Sequence, residues 1–206
     1  MLLASISAVF GANNPADLTC SYRVCPVRFV KGIYDAGPWS AMVVQPIGDR
    51  SSALLWSWNS EDGKTGLVEA SVTTKLTDLV QVGFVHDDWH GADDNDSAML
   101  DLSVKGAGLG ILVPVGEHTD KILLGPRASA GNFTGYATIA ESASPLFGLN
   151  WSKDRLSLDA TVGSNDSWWF RASRPFCHGK ETIIPELRLR GSKGETHIGF
   201  GVGMCY

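Results

Sequence analysis

What the chain lacks narrows its classes before any motif does. No run of apolar residues reaches the length of about 18 that a spanning helix needs, so any passage through a bilayer has to be made by strands. Charged residues are 19% of the chain and hydrophobic ones 44%, which excludes a disordered, self-repelling chain. With 17 basic and 22 acidic residues the formal net charge is −5, and basic stretches are short and scattered, so there is no footprint for nucleic acid. No Gly-rich loop follows a strand and opens a helix, which leaves nucleotide binding without support. No segment of useful length has helical period. Nothing in the sequence implies a cofactor.

What is present is alternation. From Trp39 onward, extended runs are separated by turn residues such as Glu61-Asp62-Gly63-Lys64 and Gly191-Ser192-Lys193-Gly194, the spacing of an all-β sandwich or barrel. The pattern predicts strands over 39–46, 52–59, 65–74, 78–86, 98–114, 121–130, 134–141, 145–152, 155–163, 167–175, 182–190 and 196–206. In 145–152, Phe147, Leu149 and Trp151 oppose Gly148, Asn150 and Ser152. In 182–190, Ile183, Pro185, Leu187 and Leu189 oppose Glu186, Arg188 and Arg190. Successive strand side chains point to opposite faces, so each of these strands has one apolar and one polar face. Pro185 lacks the N–H that a sheet needs, which implies a bulge or a late strand start. In 98–114 the apolar register changes parity across Gly106-Ala107-Gly108, as a β-bulge would make it do.

The last strand is the most telling. Ile198, Phe200, Val202, Met204 and Tyr206 share one face, and His197, Gly199, Gly201, Gly203 and Cys205 the other. This resembles the C-terminal signal strand of bacterial outer-membrane β-barrels, which closes the barrel with alternate apolar residues and a terminal aromatic. The resemblance implies a closed antiparallel up-and-down barrel of about 12 strands, transmembrane, in the bacterial outer membrane. Its partners are then the lipid bilayer and other envelope proteins, and its role that of a small, porin-like channel or a structural component of the cell envelope. In such a barrel the apolar faces meet lipid and the polar faces fill the interior. The interior polar candidates are Asp101, Lys105, Arg127, Arg155, Asp159, Arg171, Glu186, Arg188, Arg190 and His197. Aromatics should gather at the two interfaces, with Trp56, Trp58 and Trp89 extending the belts. The domain reading is a signal-like, irregular segment over 1–37, opened by the apolar MLLASISAVFGA, followed by a barrel over 38–206.

Four cysteines in an exported chain point to disulfides. If the C-terminus lies on the periplasmic rim, strand parity brings Cys177 and Cys205 to that rim. The expectation is therefore Cys177–Cys205 with Cys20–Cys25, or cross-links tying the N-terminal segment to the barrel. The acidic stretch His86 to Asp96 supplies weak metal candidates in Asp93, Asp94 and Asp96, without EF-hand spacing. Parity places it on the periplasmic rim, where long loops are unusual. Two other readings compete. One is a secreted, disulfide-bonded β-sandwich or small barrel that binds a ligand or protein, its apolar faces turned into a core. The other is a barrel-embedded lipid hydrolase using His197 or His178 with Ser157 or Ser173, although no G-x-S-x-G surrounds any serine.

Overall fold

A computed structural model describes residues 28–35, 39–59, 66–90, 95–115, 122–140, 143–163, 167–178, 181–192 and 194–205. Fifteen strands form one sheet: β1 (Phe29–Asp35), β2 (Trp39–Ile47), β3 (Ser51–Asn59), β4 (Gly66–Lys75), β5 (Val80–Trp89), β6 (Asn95–Val104), β7 (Ala107–Pro114), β8 (Leu123–Ala130), β9 (Phe133–Ala140), β10 (Ala143–Lys153), β11 (Leu156–Gly163), β12 (Trp168–Ser173), β13 (Phe176–His178), β14 (Glu181–Ser192) and β15 (Glu195–Cys205). Every pairing is antiparallel, and sequential neighbours pair except β12 and β13, which both pair with β14. β1 also pairs with β15, and β12 with β14, so the sheet closes into a barrel of 14 strands with β13 as a short extra piece. Closure pairs each of the 14 barrel strands on both sides, as a sheet surrounded by lipid requires, and only the short β13 is paired on one side.

The strand count exceeds the expected 12 for two identifiable reasons. The run 98–114 is not one bulged strand but β6 and β7, joined by a two-residue turn at Lys105-Gly106 with Gly106 at φ 78°. The barrel also takes in β1, which the pattern assigned to the irregular segment. The split of 98–114 into two strands corrects the parity, and the connection after β5 moves to the rim opposite the chain termini. That rim carries the longest connections, 60–65, 90–94 and 115–122, whereas the described turns on the rim of the termini, 48–50, 76–79, 105–106, 131–132 and 154–155, have no more than four residues each. Short turns on one rim and longer loops on the other are the habit of outer-membrane barrels.

The prolines are accommodated without a late start. Pro145 falls where the β9–β10 register shifts, between Ala143 and Leu146. At Pro185 the neighbouring strand breaks instead: β12 and β13 pair with β14 in a single register, interrupted at Arg174-Pro175. Arg174 N donates to Pro185 O at 3.4 Å, and proline cannot return the bond.

The outside of the barrel is apolar. Phe200 (60% exposed), Val202, Ile198, Leu187, Ile183, Phe147, Leu149, Val162, Phe84 and Val72 all present side chains outward. A water-soluble protein rarely exposes so continuous an apolar surface, so the secreted sandwich with these faces in a core is overturned. Tyr34, Trp39 and Trp168 sit outward near the long-loop rim, and Phe133, Trp151 and Phe176 near the short-turn rim. Trp56 and Trp58 do not join these belts. They point inward, where Trp56 is buried with Met42, Val44, Leu54 and Leu67. The Trp89 side chain lies outside the described residues.

Candidate functional site

The interior is built by the inward-facing residues of each strand, and three times a glycine lets a long side chain reach across a neighbouring strand. Lys31 on β1 passes over β15, whose inward positions include Gly201 and Gly203, to meet Glu186 on β14 at 2.9 Å. Arg127 on β8 lies over Gly108 on β7, so near that a Cβ there would come within 2.5 Å of its guanidinium carbon. From there it grips Asp101 on β6 with both nitrogens, Nη2 to Oδ1 at 2.9 Å and Nη1 to Oδ2 at 2.7 Å, and donates to Ser103 Oγ at 2.7 Å. Tyr136 on β9 lies over Gly148 on β10 and donates to Asp159 Oδ1 on β11 at 3.1 Å, sharing a hydrogen bond of 2.6 Å with Thr161 Oγ1. Such charge-assisted, forked contacts are the strong ones, and they brace strands that do not touch through their backbones.

Glu186 is the hub of the largest cluster. Besides Lys31 it meets Arg171 Nη1 at 3.2 Å and Arg188 Nε. Arg171 and Arg188 face each other directly across β12 and β14, and one row toward the long-loop rim Arg190 pairs with Trp169 and His197. Like charges set opposite each other repel, and the Glu186 carboxylate between them compensates. Asp159 is the cross-strand partner of Arg171 on the other side. The inner wall from β11 round to β1 therefore concentrates cations around two carboxylates. Half a turn away, Glu69 on β4, fully buried, and Asp87 on β5 are also cross-strand partners.

Of the ten interior candidates, Asp101, Arg127, Asp159, Arg171, Glu186, Arg188, Arg190 and His197 stand on inward positions. Lys105 and Arg155 lie in the β6–β7 and β10–β11 turns and are exposed. The sequence reading missed Lys31, Glu69 and Tyr136. For Glu69 the signal was there, since it alternates with Val68, Ala70 and Val72.

Cys177 and Cys205 do reach the same rim, but no disulfide joins them. Thr182 stands between, the register partner of both. Two strand spacings, about 9.5 Å, exceed the separation of about 7 Å that a disulfide spans. Cys20 and Cys25 lie outside the described residues, as do Asp93 and Asp94. Asp96 faces outward with its Oδ1 2.9 Å from His86 Nδ1. The hydrolase pairings do not form among the described residues: His197 Nε2 is 3.7 Å from Glu195, and Ser157 accepts from Asn150.

No protein-family model matches the sequence, and no curated protein matches it significantly. Solved structures with similar folds include a KdgM porin in complex with disordered oligogalacturonate, at TM-score 0.45 and 8% identity, and a NanC porin, at 0.43 and 11%. In both cases 87% of this chain and 98% of the other are covered. Closed by fourteen strands, apolar outside and ion-paired within, the chain has the architecture of an outer-membrane β-barrel of no specific family.

Proposed function

We propose that this protein is a channel of the bacterial outer membrane that passes small solutes and favours anions. The observation that carries this reading is the inward sector formed by Arg171, Arg188 and Arg190 on β12 and β14, joined by Lys31, with Glu69 and Asp87 across the barrel. Four cations here outnumber the carboxylates Glu186 and Asp159, and a wall with an excess of one sign in low-dielectric surroundings raises the local concentration of oppositely charged solutes. The apolar side chains Met42, Val44, Leu54, Trp56 and Leu67 occupy part of the interior, which keeps the passage narrow. They also favour a second reading, a closed structural component of the envelope.

Reconstitution into planar bilayers under a salt gradient separates the two. The expected result is conductance with a reversal potential on the anion side, shifted toward zero in Arg188→Gln/Arg190→Gln. A correctly folded barrel without conductance would overturn the channel and leave the structural role.

A further inference from the structure

Lys31, Arg127, Arg171 and Arg188 in the interior are held by carboxylates, but the cations at one corner of the short-turn rim are not. Lys153, at the end of β10, and Arg174, just after β12, are both exposed, and among the described residues neither meets a carboxylate at ion-pair distance. The acids of that corner, Asp154 and Glu181, are exposed too and paired with neither. Lys153 is the register partner of Leu156, and continuing the β11–β12 register beyond Ser157↔Ser173 sets Leu156 opposite Arg174. The three thus form one row on the outer face, a cation on either side of a leucine, with the charged residues about 9.5 Å apart.

The wall above this row is apolar: Trp151, Leu158 and Ala172 are cross-strand partners on the same face, followed by Leu149, Ala160 and Phe170. Below it, the Phe176 ring carries the Arg174 guanidinium 5.7 Å from its centroid, which holds that charge at the edge of the apolar wall. Leu156 and Lys153 border a cleft at the rim shared with Asp154, Pro175 and the inward-facing Ser152 and Ser157, opened where the β11–β12 pairing ends and β12 gives way to β13. The left-handed turn at Asp154 (φ 50°) and Arg155 (φ 70°) sets its edge. Elsewhere in the described turns a positive φ falls to glycine. Here a conformation unfavourable to arginine is retained.

We propose that this corner is a docking site for an anionic phospholipid, whose phosphodiester lies between Lys153 and Arg174 while its acyl chains run along Trp151, Leu158 and Ala172. The inference rests on the membrane-spanning reading of the barrel but not on its conducting anything. Charge complementarity and the continuity of the cationic row with an apolar wall select a lipid, because a free anion would have no use for the wall.

The test is native mass spectrometry of the detergent-extracted barrel titrated with phosphatidylglycerol or phosphatidylcholine, alongside Lys153→Gln/Arg174→Gln and a Lys105→Gln control in a different turn. Retention of phosphatidylglycerol is expected to exceed that of phosphatidylcholine and to fall about twenty-five-fold in the double variant, each near-surface cation contributing about fivefold. The Lys105 variant should behave as wild type. Equal retention of the two lipids, no change in the double variant, or displacement of the lipid by inorganic phosphate at equal concentration would overturn the site. Heat-modifiable migration of each variant reports separately whether the barrel has formed, so loss of the site is distinguishable from failure of the barrel.

Discussion

At the scale of single residues, the interior is organised by what glycine leaves out. A strand that presents glycine inward removes one side chain from the wall, and the arginine, lysine or tyrosine of the next strand uses that space to reach a carboxylate two strands away. Tyr136 over Gly148 is the closest case: an added Cβ would come within 1.9 Å of the ring carbon that bears the hydroxyl. Gly148→Ala therefore has to expel the ring from its place and break its bonds to Asp159 and Thr161. The expected loss is about 1–3 kcal/mol of unfolding free energy, the range of an overpacked site that also loses a buried hydrogen bond. Tyr136→Phe, which keeps the ring and loses only the hydroxyl, should cost about 1 kcal/mol. In the Tyr136→Phe background Gly148→Ala should cost less than it does alone, because the hydrogen bonds it breaks are already gone. Urea unfolding of the four proteins in lipid vesicles gives the cycle, and strict additivity would show that the ring does not depend on the glycine. Such pairings were not legible in the sequence. Alternation identified Glu186 and Asp159 as inward, but that Lys31 meets Glu186 across 155 positions depends on which strand closes the barrel, and no local pattern contains that.

At the scale of strands, legibility followed length and cleanness of alternation. β11 and β14 were read with their faces because their polar positions carry charge and their apolar positions do not, and β15 because its large apolar residues alternate with glycines. β1 was missed because Phe29–Asp35 is short and places Lys31 inward beside Ile33, a mixed pattern that a rule of polar inside and apolar outside does not recognise. The Lys105-Gly106 turn was read as a bulge, since both change the parity of the apolar positions and only backbone pairing distinguishes them. Pro185 shows the opposite error: it was expected to disturb its own strand, and the strand beside it is broken instead. Pro185 keeps its place in β14 through the register with β15, and the missing donor falls toward Arg174. Pro185→Ala restores an N–H there. The expected outcome is a second bond to the Arg174 carbonyl and a gain of about 0.5–1.5 kcal/mol, read from the urea midpoint. Slower amide exchange at Arg174 should accompany it. A variant no more stable and no better protected than wild type would place the break in Arg174-Pro175 itself, not in the missing donor.

At the scale of the whole molecule, burial is reversed, and this is what makes the terminal strand so readable. In a water-soluble barrel Phe200 would be a core residue touched on every side, yet here it is 60% exposed while Glu69, Lys31 and Asp101 on the other face are buried. The two arrangements respond differently to the same substitutions. Truncating a core phenylalanine costs about 3–5 kcal/mol through the cavity it leaves. Phe200 has few protein contacts to lose, so Phe200→Ala should cost much less than that in detergent, where the surrounding tails close over the gap. Phe200→Arg instead places a charge on the lipid face, with a cost of about 2–4 kcal/mol near the midplane and less toward the interfaces. The prediction is therefore that Phe200→Arg folds in detergent with the wild-type gel shift and inserts poorly into phosphatidylcholine vesicles, while Phe200→Ala does both nearly as well as wild type. Gel mobility with and without boiling measures the first, and flotation with vesicles the second. If Phe200→Ala unfolded the barrel in detergent, the residue would be part of a core, and the outward assignment of the apolar faces would fail with it. If Phe200→Arg inserted as readily as wild type, the face would be apolar without being a lipid face, and membrane placement would have to rest on the aromatic girdles and closure alone.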